Sequence, residues 1–328
     1  MYKVVCIGGG TGLSTLLRGL KRYDNINLTA IVTVMDDGGS SGRLKDEFGV
    51  LPPGDIRNCI LAIADKEDIL TKLFSYRFPV TSKNPQVGGH SLGNLLMVAL
   101  ADIFGDFDEA IKKISEILVV KGKVIPITLQ PTQLVAVLED GSLRYGETTI
   151  SSSKLPIKKL LFNPKRVKHH PEVVREISQA DMIIIGPGSL FTSILPNLII
   201  KEVSTVIAKS KAILVYVCNI MTQPGETDNY TVAMHVEKIY EHCKNSFKFD
   251  YIILNDTNIP KNIKAKYAKQ NSYPVKIDDI TKLKSLVKKG IIKGDFIDKK
   301  LKEEKFARHD PNKLARTILK ILKQEINK

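Results

Sequence analysis

Four stretches of this chain combine glycine, hydroxyl and charged residues at spacings that suit a phosphate-bearing ligand. The first is Gly8-Gly9-Gly10-Thr11-Gly12-Leu13, between the apolar run Tyr2 to Ile7 and leucines 13, 16, 17 and 20 at helical spacing. A buried strand, a glycine turn and a helix start leave backbone N–H groups unpaired at the helix N-terminus, where they suit phosphate oxygens. Glycine also lets a ligand approach the backbone closely. The stretch departs from G-x-G-x-x-G, because Leu13 sits where the third glycine belongs. It departs from the P-loop, because no Gly-Lys-Ser/Thr follows. A tight turn without a ligand is the plainer alternative, but four glycines exceed what a turn needs.

The second stretch, Met35-Asp36-Asp37-Gly38-Gly39-Ser40-Ser41-Gly42-Arg43, follows the apolar run Leu28 to Val34. An acidic residue at the tip of a second strand is where a dinucleotide fold holds ribose hydroxyls. Successive strand residues face opposite ways, so Asp36 and Asp37 reach one ligand together only if the strand has ended. Backbone N–H groups of Gly38 and Gly39, the Ser40 hydroxyl and the Arg43 guanidinium are then available to phosphate oxygens. Asp36 or Asp37 could hold Mg²⁺, which takes one or two carboxylates and keeps waters.

The third stretch is Leu51-Pro52-Pro53-Gly54-Asp55-Ile56-Arg57-Asn58. Its prolines bar helix before Gly54. Asp55 fits an N-cap and a ligand contact equally well. A cation in a first helical turn opposes the helix dipole, so Arg57, with Asn58, reads as a ligand group. The fourth, Gly186-Pro187-Gly188-Ser189 after the run Met182 to Ile185, repeats the logic of the first. Two such loops make a two-sided cleft at the C-terminal edge of a sheet. Ser189 lies outside any G-x-S-x-G, which gives a hydrolase nucleophile little support. The catalytic candidates are therefore the carboxylates Asp36, Asp37 and Asp55. His90 reads as structural and Ser91 as a helix cap.

A parallel α/β frame is needed to hold these loops. The strand–helix–strand opening, then buried runs at 182–185, 212–219 and 250–256, predicts a Rossmann-like three-layer α/β fold with a mostly parallel sheet. Residues 123–162 change character around the turn Glu139-Asp140-Gly141 and predict an inserted antiparallel or edge section. One domain, 1–328, is expected: a nucleotide-binding core over 1–256 and a lysine-rich C-terminal section over 257–328. That section ends in a helix with Asp310 as cap and Pro311 at its first position.

Composition bounds the function. The 328 residues carry a net charge of +14, and residues 261–328 hold 18 Lys and 2 Arg against 8 Asp and Glu. With few arginines and aromatics there, nucleic acid is not expected as a partner, and the lysines read as a solvated face. No apolar run is long enough to span a membrane and no signal peptide is evident, so a cytoplasmic location is expected. Cys6, Cys59, Cys218 and Cys243 are scattered and read as reduced core thiols. No histidine or cysteine spacing supports zinc.

Together, the glycine stretch at 8–13, Asp36 to Arg43, Leu51 to Asn58 and Gly186 to Leu190 resemble the YvcK/GlmR gluconeogenesis-factor family. That family lies in the CofD-like superfamily with 2-phospho-L-lactate transferase. The resemblance runs in order to about Asp256, and it implies a single CofD-like domain in a cytoplasmic bacterial protein. It implies a nucleotide ligand, UDP-N-acetylglucosamine in particular, and a role in cell-wall precursor supply, cell shape and growth on gluconeogenic carbon sources. Glucosamine-6-phosphate synthase is the implied protein partner. By position, the first loop would hold the diphosphate, and Asp36 or Asp37 the ribose or a metal. Gly186 to Ser189 and Asn219 would line the opposite wall, and Arg308 would close on the sugar or a partner.

Three function classes follow: a non-catalytic nucleotide-sugar sensor requiring no cofactor, a Mg²⁺-dependent uridylyl- or phospholactate-type transferase, and a dinucleotide-dependent oxidoreductase. The missing fingerprint glycine and the lack of an acid/base group argue against the third, although NAD fits a diphosphate site. Self-association is left open by the sequence.

Overall fold

The computed structural model describes residues 1–65, 69–81, 86–298 and 306–326. The chain opens with β1 (Tyr2–Gly8), β2 (Ile26–Val32) and β3 (Lys123–Pro126). After these come β4 (Gln133–Leu138), β5 (Leu143–Tyr145) and β6 (Ile157–Asn163). The remaining strands are β7 (Met182–Ile185), β8 (Ile213–Val217), β9 (Tyr251–Asn255) and β10 (Gly290–Gly294).

Seven of them form one sheet in the order β10-β9-β8-β7-β1-β2-β3, with every neighbouring pair parallel. Helices cover both faces, so Val4 to Ile7, Met182 to Ile185 and Val215 to Val217 are buried, as the uninterrupted apolar runs require. The expected Rossmann-like α/β architecture is what the chain adopts. Strand order reverses between β1 and β7: the chain winds outward through β2 and β3 on one side and through β8 to β10 on the other. Open α/β sheets bind ligands in the crevice at such a reversal, beyond the C-terminal ends of the strands. Two of the four chemistry-bearing stretches follow β1 and β7.

The section at 123–162 divides. Strand β3 pairs in parallel with β2 as an edge of the main sheet, because Val124 and Ile125 are buried on both faces. Only β4 to β6 form the separate antiparallel sheet, in the order β5-β4-β6.

The lysine-rich section contributes β10 to the sheet edge and the helix Pro311–Ile326, which lies against α1 (Gly10–Leu20). The Asp310 carboxylate accepts from the N–H groups of Asn312 (2.8 Å) and Lys313 (3.0 Å), as a cap should. Contact with α1 runs through Gly19, where an added Cβ would lie 2.7 Å from the Pro311 carbonyl carbon and 3.0 Å from the Ala315 methyl. Gly19→Val is therefore expected to cost about 2–3 kcal/mol in urea unfolding, by overpacking this helix pair. An unchanged midpoint would show that the last helix can shift freely. All four cysteines are buried and free. No single described helix is long and apolar enough to cross a membrane.

Candidate functional site

The first glycine loop joins β1 to α1. Gly9 is extended, and Gly10 has φ +63°, a left-handed conformation that glycine takes without strain. The loop has two sides. On the first, Gly12 abuts the second loop: an added Cβ would lie 2.7 Å from the Pro187 carbonyl carbon and 3.0 Å from the Gly188 nitrogen. Here Thr11, Gly12, Pro187, Gly188, Asn219 and Arg308 line a cleft of about 300 Å³ that Ser189 and Gln223 extend. Helix geometry leaves the amides of Thr11 and Gly12 without an internal partner at this end of α1. Both glycine loops, Asn219 and Arg308 thus meet in one place. Gly8 ends β1, and Leu13 turns inward to the core.

The second loop is held by its neighbours. Gly186 has φ +78° and precedes a cis peptide bond to Pro187. Asn219, two residues beyond β8, clamps Gly188 from both sides: its Nδ2 donates to the Gly188 carbonyl (2.7 Å), and its Oδ1 accepts from the Gly188 N–H (3.0 Å). The Ser189 hydroxyl bonds to Glu226 and to Thr192 (2.7 Å) and caps the helix that follows. Glu226 also accepts from the Phe191 N–H (3.1 Å) and the Ser151 hydroxyl (2.8 Å). Burial raises the Glu226 carboxyl above the usual carboxylate range, and these hydrogen bonds oppose the rise.

Arg308 stands on a fixed segment. His309 beside it is buried and hydrogen-bonds the Cys218 backbone, and burial lowers the imidazole to about pH 4, so it is neutral at physiological pH. The Arg308 carbonyl accepts from the Asp298 N–H (2.9 Å), and its guanidinium lies 5.2 Å from the Phe306 ring centroid.

The other side of the first loop is acidic. Asp55 does not cap its own helix, α3 (Gly54–Ile63); Pro53 occupies that position. Its carboxylate instead accepts from the Gly10 N–H. An added Cβ on Gly9 would lie 2.6 Å from Asp55 Oδ2 and from the Thr33 methyl. Burial is the largest influence on Asp55, followed by the charge of Asp36, and together they push it up to about 7 against the pull of Gly10 and Arg57. Glu147, from the short helix Glu147–Ser151 after β5, joins this cluster. Burial and then the charges of Asp36 and Asp55 push it up to about 8.

β2 ends at Val32, so strand alternation does not govern Asp36 and Asp37, yet their side chains part company in the loop. Asp36 Oδ1 accepts from the Gly38 N–H (2.9 Å) and stays electrostatically coupled to Asp55 and Glu147. Asp37 turns away and accepts from the Thr148 N–H (2.9 Å) and hydroxyl (2.8 Å), tying the loop to the insertion. No group of three or more His, Cys, Asp and Glu among the described residues is arranged to hold a metal. Mg²⁺ needs only one or two carboxylates when phosphates and waters supply the rest. Asp36 and Asp55 are electrostatically coupled carboxylates, whereas the Asp37 Oδ1 is already engaged by Thr148.

Gly38 caps α2 (Gly39–Phe48), and Gly39 has φ +48°. Beyond it lie the buried Ser40 and Arg57 and the half-buried Arg43 and Asn58, each held by hydrogen bonds. The Ser40 hydroxyl bonds to His90 Nδ1 (2.9 Å) and accepts from Asn94 (3.0 Å). Arg57 donates to Ser91, to Asn94 (2.8 Å) and to Asn58 (2.8 Å), while Arg43 donates to the Gly88 carbonyl (2.6 Å). Burial and the neighbouring Arg77 lower Arg57 to about 10. These side chains brace the loop that carries Asp36, and Ser91 caps the helix Leu92–Phe104 as expected.

Sequence reasoning missed Glu147 and Glu226. Glu226 stood in a visible polar turn, Pro224 to Asp228, after β8. Glu147 gave no local signal, because only the insertion's folding brings it to Asp36.

The chain is similar to known proteins over nearly its whole length. The profile of the family described as 2-phospho-L-lactate transferase CofD matches residues 4–297. The gluconeogenesis factor of Bacillus subtilis is 44% identical, with 98% of each chain covered. The gluconeogenesis factor of Listeria monocytogenes is 42% identical over 99% of this chain and 97% of its own. A crystal structure of a Bacillus halodurans protein superposes with a TM-score of 0.91 at 43% identity, covering 97% of this chain and 99% of the other.

Proposed function

Since this chain belongs to the CofD family, and within it to the gluconeogenesis factors, we propose that it is a nucleotide-sugar-binding regulator whose ligand is UDP-N-acetylglucosamine. One observation carries this reading: both glycine loops converge at the strand-order reversal, with Asn219 and Arg308 closing the cleft. In the proposed pose the Thr11 and Gly12 amides receive the diphosphate. The cation Arg308 balances its charge from the opposite wall. Occupancy would then be read by a partner enzyme, with glucosamine-6-phosphate synthase as the proposed one, linking ligand supply to cell-wall precursors and growth on gluconeogenic carbon.

Titration calorimetry with UDP-N-acetylglucosamine, UDP, NAD and GDP, with and without Mg²⁺, tests the proposal. UDP-N-acetylglucosamine should bind at least about tenfold more tightly than NAD or GDP, a difference of ~1.4 kcal/mol. It should be recovered intact. Equal affinities across the series would remove the sugar-nucleotide assignment.

The acidic cluster favours a second reading, a Mg²⁺-dependent transferase. Asp36 and Asp55 would hold the ion, which would supply charge neutralisation for a phosphoryl or nucleotidyl group. Arg57 and the Gly10 N–H hold Asp55 in place for that role. Product formation from UDP-N-acetylglucosamine or a nucleoside triphosphate, lost in Asp55→Asn, would establish this reading over the first.

A further inference from the structure

Away from the cleft, a groove of about 750 Å³ lies between the segment after β6 and the bend that precedes the helix Lys201–Lys209. Its floor is apolar, with Phe162 and Ile200 buried and Val167 and Ile199 half-buried. Lys165, Arg166, Lys168 and Lys201 stand exposed around it. None of these four cations has an ion-pair partner among the described residues, although Glu202 also lines the groove. Unmated lysines are common among the described residues of this basic chain, Lys158 and Lys159 of β6 and Lys209 of the adjoining helix among them; what sets these four apart is the apolar floor they surround. Solvated charge alone explains a lysine on a convex face. It does not explain four unmated cations around an apolar trough of ligand-pocket size.

We propose that this groove docks an acidic segment of a partner protein, with an aliphatic side chain on the apolar floor and carboxylates on the cationic rim. Charge complementarity selects the occupant. The floor supplies desolvation, and the rim supplies register and encounter rate. A nucleic acid fits less well, because of the two rings in the lining Phe162 is 8% exposed and offers no stacking face, and the half-buried His169 is held by its Nδ1 to the His170 carbonyl. The helical run that starts at Ser189, in the second glycine loop, ends at Ile199 and Ile200 in this groove, so one stretch of chain touches both places. The proposal does not depend on which ligand the cleft takes.

The probe is a fluorescein-labelled peptide of alternating Glu and Leu, read by anisotropy on the full chain. A Gln/Leu peptide of equal length and a single-stranded oligonucleotide of equal charge serve as comparators. The Glu/Leu peptide should bind, and its affinity should drop at least tenfold in K165E/R166E/K168E and fall with added salt. Affinity for UDP-N-acetylglucosamine should stay constant in that variant. Should the triple reversal fail to fold, K165Q/K168Q should still weaken the peptide measurably. Carbodiimide coupling of the bound peptide should map to Lys165, Lys168 or Lys201. Coupling spread over the lysines of 261–293, tighter binding of the oligonucleotide, or no binding of the peptide would each overturn the proposal.

Discussion

Gly12→Val should abolish ligand binding in the cleft while leaving a folded protein. The Gly12 position is where the two glycine loops touch, and a side chain there would run into backbone: the Pro187 carbonyl carbon at 2.7 Å and the Gly188 nitrogen at 3.0 Å. Neither obstacle can rotate away, and Asn219 holds Gly188 on both its polar groups. The loops must therefore separate, which breaks the cradle geometrically. The expected loss is about 100-fold or more in affinity for UDP-N-acetylglucosamine, ~2.7 kcal/mol. The accompanying loss of stability is about 1–3 kcal/mol. Gly141→Ala is the control, since Gly141 has φ +83° in the remote β4–β5 turn with no neighbour within 4 Å. It should lower stability by backbone strain and leave affinity unchanged. Calorimetry on both variants decides the matter: retained binding in Gly12→Val would place the ligand elsewhere.

Asp55→Asn is expected to stabilise the unliganded protein above pH 7 and to remove its response to Mg²⁺. Asp55 rises from an ordinary 3.8 to about 7 in the folded chain, through burial first and Asp36 second. Between those values the folded state keeps a proton that the unfolded state has released, so stability falls as pH rises through the window. Glu147, raised from 4.5 to about 8, extends the fall by about one further unit. Removing the Asp55 contribution should restore on the order of 2–4 kcal/mol at pH 8. For a domain of this size that is several degrees in melting temperature. Millimolar Mg²⁺ should raise the wild-type melting temperature at pH 8 and leave the Asn variant unmoved, because the cation favours the ionised pair. A wild-type melting temperature that stays flat from pH 5 to pH 8 would show that these carboxyls do not keep their protons.

The proposed partner would have two candidate routes to the cleft in this fold. The helical run from Ser189 ends at the basic groove, and the Ser40–His90–Asn94 network joins the Asp36 loop to the helix Leu92–Phe104. Both begin at residues that brace the ligand loops. A ligand of the proposed kind that shifted those loops would act on two packed elements at once.

By itself the sequence determined the parts. Apolar runs ending in glycine mark strands that feed helices, because burial periodicity and the steric freedom of glycine are local properties. That is why β1, β7 and their loops, the Asp310 cap and the buried thiols were all legible. What only the tertiary structure decided is which parts meet. Asp55 read equally well as a cap for its own helix and as a ligand contact, and it bonds to Gly10 instead of capping. Asp37 looked equivalent to Asp36 and is tied to Thr148. Glu147 reaches the acid cluster from a short helix of the inserted section, and Arg308 reaches the cleft from the last section of the chain. Such pairings join residues far apart in the chain. They are fixed by the order of strands in the sheet and by packing such as that of Gly19 on Pro311, neither of which leaves a mark on the residues' own neighbours in sequence.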